Sequence, residues 1–287
     1  MQPTRTINAQ TAVLAALCAA IGLFGCGTPV QAQGKLDATY TATLAGIPLG
    51  KGAWVIEVGD EQFTAAASGV TTGVLRVFSS GQGSGMSRGY VSNGTLIPTT
   101  YVANMKTEKW TEELRMTLAG GVIKDMSIDP LPPPQPDRVP VTDAHKRGVL
   151  DPMTASIVRV PGTGDMLGPD ACSRGASVFD GRIRYDLKLA FKRIENVKAD
   201  KGYAGPAVVC ALYFTPIAGY IPKRPAVKYL SEQRDVETWL VPIPGTRLMA
   251  PFRTSLPTPL GTGALQANQF IVTAAPPRPT PTSIKGQ

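Results

Sequence analysis

Histidine occurs once in the 287 residues, as His145 in the stretch DAHKRG, and this single imidazole limits the chemistry open to the chain. Metal sites built on two histidines are excluded, and one base at most could serve a serine or cysteine nucleophile. Its charged neighbours place His145 at an exposed helix end. Gly83-Ser84-Gly85 is preceded by Gln82 and makes no Gly-x-Ser-x-Gly elbow. Gly162-Thr163-Gly164 with Gly168 misses the dinucleotide fingerprint by one residue and reads as a loop. Glu112 and Glu113 point to opposite faces if their segment is a strand, so they do not converge as an acid–base pair. Asp165 and Asp170 share a loop that could meet a cation but has no EF-hand spacing. The sequence therefore predicts no catalytic residue, no cofactor-binding residue and no metal ligand. A carboxylate-dependent hydrolase acting on cell-wall polymers is kept as one alternative.

Two cysteines carry the remaining chemistry. Arg5 precedes an apolar run over residues 12–24, too short to span a bilayer, and residues 1–32 read as an export signal cleaved between Ala32 and Gln33. The alternative is a lipoprotein box, Leu23-Phe24-Gly25-Cys26, with lipidation at Cys26. Cleavage after Ala32 leaves Cys172 and Cys210, which in an oxidising compartment are expected to pair. A flat meander would hold them two strand spacings apart, about 9–10 Å, too far to bond. The bridge thus requires Cys172 to lie in a loop folded over the sheet. Removing Arg5 lowers the net charge from +8 to +7. On an exported protein, a basic surface points to an anionic envelope surface and not to nucleic acid. No later apolar run reaches membrane-spanning length, so the sequence predicts a bacterial periplasmic protein, soluble or lipid-anchored and not integral to the membrane.

The elements that must position any site are strands. LDATYTATL puts Leu36, Ala38, Tyr40, Ala42 and Leu44 on one face, and Gly46, Pro48 and Gly50 turn the chain toward Trp54, Ile56 and Val58. Phe63, Ala65 and Ala67 continue as a third strand. Helical spacing is read over 71–78, and Asp151 followed by Pro152 predicts a second short helix over 151–158. Gly81, Gly83 and Gly85 share a strand face, where they would admit a close neighbour or mark a bend. Residues 129–140, DPLPPPQPDRVP, form a stiff proline-rich connection. In FDGRIRYDLKLAFK, Asp180 and Gly181 turn into a long strand. Ile183, Tyr185, Leu187, Leu189 and Phe191 face one side of it, and Arg182, Arg184, Asp186, Lys188 and Lys192 face water. The prediction is all-β and mainly antiparallel: one domain over 33–274, a curved sheet or half-closed barrel of ten to twelve strands with two short helical insertions. Residues 275–287 read as a disordered tail.

The ordered combination YTATLAGIPLGKG, VLDPMTASIV, FDGRIRYDL and WLVP resembles domain-of-unknown-function family 3108, a group of exported bacterial β-rich proteins, over nearly the whole mature chain. The resemblance implies a half-barrel related to that of periplasmic lipoprotein carriers such as LolA, and no agreed activity. The alternating apolar residues Tyr40, Trp54, Ile56, Phe63, Tyr185, Leu187 and Phe191 either fill a core or line a greasy cavity. The leading expectation is a non-enzymatic envelope protein that binds or shuttles a lipid-like or other amphiphilic ligand. An envelope assembly or scaffold protein using its basic surface is the other alternative.

Overall fold

The computed structural model describes residues 33–72 and 81–275. The export signal, the 275–287 tail beyond Ala275 and nearly all of the helix predicted over 71–78 lie outside those residues. The first half of the chain is an antiparallel meander: β1 (Gln33–Leu44), β2 (Ile47–Val58), β3 (Gln62–Thr71), β4 (Gly81–Ser92), β5 (Thr95–Thr107), β6 (Thr111–Ala119) and β7 (Val122–Asp129). The proline-rich connection has no regular structure. It leads through a 3-10 turn, Asp143–Lys146, to α1 (Pro152–Ala155), β8 (Val158–Arg159) and a second 3-10 turn, Pro169–Cys172. The second half holds β9 (Gly175–Phe179), β10 (Arg184–Lys198), β11 (Lys201–Gly202), β12 (Ala204–Ala218), α2 (Pro225–Glu232), β13 (Glu237–Pro242), β14 (Leu248–Leu256) and β15 (Gly263–Ala275).

All of these strands belong to one sheet. Its order is β7-β6-β5-β4-β3-β2-β1-β15-β14-β13-β12-β10-β9, so the first and last strands are neighbours and the two halves join through them. Two extra strands of two residues each, β8 on β14 and β11 on β15, bring the total to fifteen, above the ten to twelve expected. Pairings this short leave no periodic pattern to read. The sheet curls without closing: β7 and β9 do not pair with each other, and residues 147–150 cross the gap between them. Arg147 bridges Val122, Val149 N donates to Gly121 O at 2.9 Å, and Leu150 N donates to Ser177 O at 2.8 Å. Leu114 of β6 packs onto Gly181, where a Cβ would lie 2.6 Å from the leucine and φ is +93°. Only glycine fits there.

Alternation along β1 and β2 buries Leu36, Ala38, Tyr40, Trp54, Ile56 and Val58 in the largest core cluster. Strand β12 is buried on both faces: Ala207 and Val209 join that cluster, while Val208 and Cys210 pack with Leu240 and Met249 beneath Val160, Ala171 and Cys172. The Cys172–Cys210 disulfide forms, with Cα atoms 5.7 Å apart. Cys172 ends a 3-10 turn laid over the sheet, and β9 starts only after it, as the spacing argument requires.

The helix predicted over 151–158 is a single turn, because Val158 and Arg159 are drawn into pairing with Met249 and Leu248. Helix α2, unanticipated, begins with Pro225 at its first position, and its helical spacing of Val227 and Leu230 was a legible signal that went unread. Among the described residues no helix is long and apolar enough to cross a membrane.

An ion network ties β10 to β13 across β12. Arg193 grips both carboxylate oxygens of Glu237 at 2.9 Å, Lys192 Nζ adds a contact at 2.6 Å, and Glu195 accepts from Trp239 Nε1 at 2.6 Å. Hydrogen bonding from Arg193 is the main reason the Glu237 carboxyl is held down at about 2. A depressed carboxyl stabilises the fold above its unfolded pKa, and that contribution is lost as pH falls through the folded value. We expect wild-type stability to drop as pH is lowered from about 4.5 toward 2, with Glu237→Gln showing a smaller drop. The difference should be only about 1 kcal/mol, since Arg193 and Lys192 are partly solvated. Urea midpoints across that range measure it.

Candidate ligand cavity

Inside the curl, β2 to β5 lay two cross-strand rows side by side. One runs Trp54–Ala67–Gly85–Ala103, the other Gly52–Gly69–Gly83–Met105. Since Trp54 and Ile56 are buried, period-two alternation turns both rows inward. The second row has three glycines in succession, so the wall there is bare backbone. A Cβ built on Gly69 would meet only Lys51 O at 3.6 Å, and one on Gly83 only Asn104 O at 3.5 Å and Met105 Cγ at 3.9 Å. These are ordinary contacts with the adjacent strand, and no described residue packs on Gly69 or Gly83 from across the interior. Gly85 differs: a Cβ there would press on Met153 Cε of α1 at 3.2 Å. One glycine of the 81, 83, 85 series therefore admits a close neighbour, and Gly83 leaves open space.

That space is a cavity of about 850 Å³. Its principal apolar walls are Tyr40, Trp54, Tyr101, Met105, Trp110 and Met153, and no carboxylate, histidine or cysteine of the described residues lines it. Trp54 is 8% exposed, and its indole N–H has no acceptor among the described residues. Tyr40 donates to Pro251 O at 2.7 Å, and burial pushes its phenol well above the ordinary range. The Tyr101 phenol is pushed up to about 12, first by burial and then by the nearby Asp151 and Asp180 carboxylates. Both tyrosines are therefore neutral donors at physiological pH. A second cavity of about 270 Å³ lies toward Leu187, Leu189, Leu212 and Leu240; Ser156, Pro251 and Thr254 border both spaces.

The partition between the cavities is held by Asp151. One carboxylate oxygen caps α1, accepting from Met153 N at 2.9 Å and Thr154 N at 3.0 Å. The other accepts from Thr154 Oγ1 at 2.7 Å and from Ser87 Oγ of β4 at 2.9 Å. All three side chains are buried. Burial raises the Asp151 carboxyl, and the hydrogen bonds from Thr154, Ser87 and Met153 oppose that shift. The network fixes α1 against the sheet wall.

The sequence profile of the family described as protein of unknown function DUF3108 matches residues 39–268. The chain belongs to the DUF3108 family. No curated protein matches it. Among solved structures it is similar to a crystal structure of a beta-barrel-like protein of domain of unknown function DUF1849 from Brucella abortus. Identity is 10% and the TM-score 0.41, over 84% of this chain and 98% of that one.

Of the seven residues expected to line a cavity in this DUF3108 protein, Tyr40 and Trp54 line the larger one and Leu187 the smaller. Ile56 and Phe63 are instead buried in the main core, because the rows nearer β1's start have side chains packed against them from the second half of the sheet. Tyr185 stacks on Phe214 at 5.2 Å and touches neither cavity. Phe191 is 39% exposed, since β9 pairs β10 only as far as Lys188 and the strand continues as an uncovered edge. Glu112 and Glu113 do point apart: Glu112 pairs with Arg182, and Glu113 with Arg115. His145 Nδ1 accepts from Thr142 N at 3.1 Å and closes its own turn. Asp165 accepts from Leu167 N at 2.9 Å, and no group of three or more potential metal ligands exists among the described residues. Sequence reasoning missed Ser87, Tyr101, Met105 and Met153. Ser87 had one legible signal, a serine at inward parity in a strand, which has to find a partner.

Proposed function

We propose that this DUF3108 protein is an exported, non-enzymatic carrier of the bacterial cell envelope that houses the apolar chain of an amphiphilic molecule inside its curled sheet. The observation that carries this reading is the 850 Å³ cavity walled by aromatics, methionines and a row of glycine backbone. Pockets for small ligands typically span roughly 300–1,000 Å³ and are mainly apolar with few polar groups. Each methylene moved from water into such a space contributes about 0.8 kcal/mol. A core would have filled the glycine row with side chains, since strand glycines cost stability and leave nothing to pack. The absence of carboxylate, histidine and cysteine from the described lining favours holding over hydrolysis.

Gly83→Phe supplies the test. The ring would enter the cavity without displacing a described neighbour, so we expect an unchanged or raised melting temperature together with at least a tenfold loss of affinity for a fluorescent fatty acid. Native mass spectrometry of protein purified from the envelope should show a copurified amphiphile that Gly83→Phe lacks. A bare mass with no uptake of added fatty acid, or wild-type uptake by Gly83→Phe, would overturn the reading.

A further inference from the structure

Three arginines from separate segments lie within each other's field: Arg138 from the proline-rich connection, Arg182 from the turn between β9 and β10, and Arg224 at the N-cap of α2. Arg138 Nη2 donates to Gln135 Oε1 at 2.8 Å, and Arg224 Nη2 lies 3.5 Å from the same oxygen. Arg138 Nη1 donates to the carbonyl of Gly219, and Gly219 abuts the Arg182 carbonyl so closely that a Cβ would overlap it. Arg182 pairs with Glu112. Asp180 is committed to the amides of Arg182 and Ile183, at 2.8 and 2.6 Å. Among the described residues neither Arg138 nor Arg224 has a carboxylate partner within ion-pair distance; both converge on the neutral oxygen of Gln135.

Three guanidinium groups share two carboxylates, Glu112 in contact with Arg182 and Asp180 within the field of Arg138 and Arg182, and the net positive charge that remains is offset by an anion. Burial, followed by the fields of Arg182 and Arg224, depresses the pKa of Arg138 against the opposing field of Asp180, so the groups are close enough to feel one another. None of the three arginines lines the cavity itself; Arg182 is linked to its wall through Glu112. Glu112 is the direct cross-strand partner of Met105 in the glycine row, about 5 Å away, and Met105 and Trp110 are cavity wall.

We infer that Arg138, Arg182 and Arg224 form an oxyanion site that receives the phosphate or carboxylate head of the amphiphile whose chain fills the cavity. This extends the carrier reading and rests on it. Guanidinium forks match both oxyanions with paired hydrogen bonds, and the Glu112 contact positions Arg182. The apolar wall selects chain, the arginines select charge, and a neutral head of similar size gains nothing at this end.

Three ligands with one acyl chain separate the two claims: a lysophosphatidic acid, the free fatty acid and the uncharged monoacylglycerol, each displacing a fluorescent probe. We expect the two anions to bind at least tenfold more tightly than the monoacylglycerol at low ionic strength, with the gap narrowing as salt is added. Arg224 is exposed and, among the described residues, its side chain is held by the 3.5 Å contact alone, so Arg224→Gln should fold normally and shrink that gap several-fold. Arg138→Gln/Arg224→Gln should abolish it while monoacylglycerol affinity stays put. A purely structural role for the arginines would weaken all three ligands together. Equal affinity for charged and neutral ligands, or an anion advantage surviving in the double variant, would overturn the anion site and leave the carrier standing. Binding of none of the three would remove both. Inorganic phosphate alone, titrated against the same proteins, distinguishes the source: a thermal shift lost in the double variant, without any headgroup preference among the acyl ligands, identifies free phosphate as the anion and overturns the headgroup assignment.

Discussion

Asp151→Ala is expected to destabilise the protein by about 3 kcal/mol, the sum of a lost helix cap and of buried hydroxyls and amides left without an acceptor. The carboxylate accepts four hydrogen bonds, from Met153 N, Thr154 N, Thr154 Oγ1 and Ser87 Oγ, and its residue has no solvent exposure through which water could replace it. Asp151→Asn retains the capping oxygen, and the two hydroxyls can rotate to accept from its amide, so a loss of only about 1 kcal/mol is expected. The pH dependence should change in a defined direction. Burial raises this carboxyl, so its contribution is fully present below the unfolded pKa and is lost as pH rises through the folded value. Asp151→Asn should remove that part of the profile, opposite in sign to the effect of Glu237→Gln. Equilibrium urea unfolding of both variants measures this, and an alanine variant within 1 kcal/mol of wild type would show that α1 is held by packing instead.

Removing the Cys172–Cys210 bridge is expected to cost about 4 kcal/mol, the chain-entropy value for a loop spanning 38 positions. Both sulfurs are buried, so Cys172→Ala/Cys210→Ala is the cleaner variant, introducing no unpartnered hydroxyl. Two observables separate the entropic effect from lost packing. The released chain is more expanded when unfolded, so the denaturant slope should rise along with the fall in midpoint. Reducing the wild-type protein should reproduce the shift without altering any residue. A loss well under 2 kcal/mol with an unchanged slope would mean that the turn holding Cys172 is fixed by its packing on Val208, Leu240 and Met249.

The fold was legible where alternation is strong. LDATYTATL does bury Leu36, Ala38 and Tyr40, and Asp151 before Pro152 does cap a helix. Two of the strands beyond the expected number, β8 and β11, are two-residue pairings that carry no pattern, whereas α2 did carry helical spacing at Val227 and Leu230. For the cavity, local reasoning reached the inward face and stopped there. Tyr40 and Trp54 belong to the core cluster and also border the cavity, while Ile56 and Phe63 are core alone, although all four alternate in the same way along their strands. Phe191 keeps the parity of Leu187 and Leu189 but lies beyond the last residue of β9 that could cover it.

By itself, the sequence determined an antiparallel sheet of alternating strands, the cap at Asp151, a cysteine pair that could bridge only through a loop, and a single histidine. Each follows from local stereochemistry or from composition, and neither depends on which distant segment comes to lie opposite. Only the tertiary structure decided that Gly52, Gly69 and Gly83 align into one bare wall, that Ser87 meets Asp151 across 64 residues, and that Arg138 and Arg224 converge on Gln135. Period two says which way a side chain points; cross-strand register and the curl of the sheet set what it meets there, and both are fixed by the packing of all fifteen strands together.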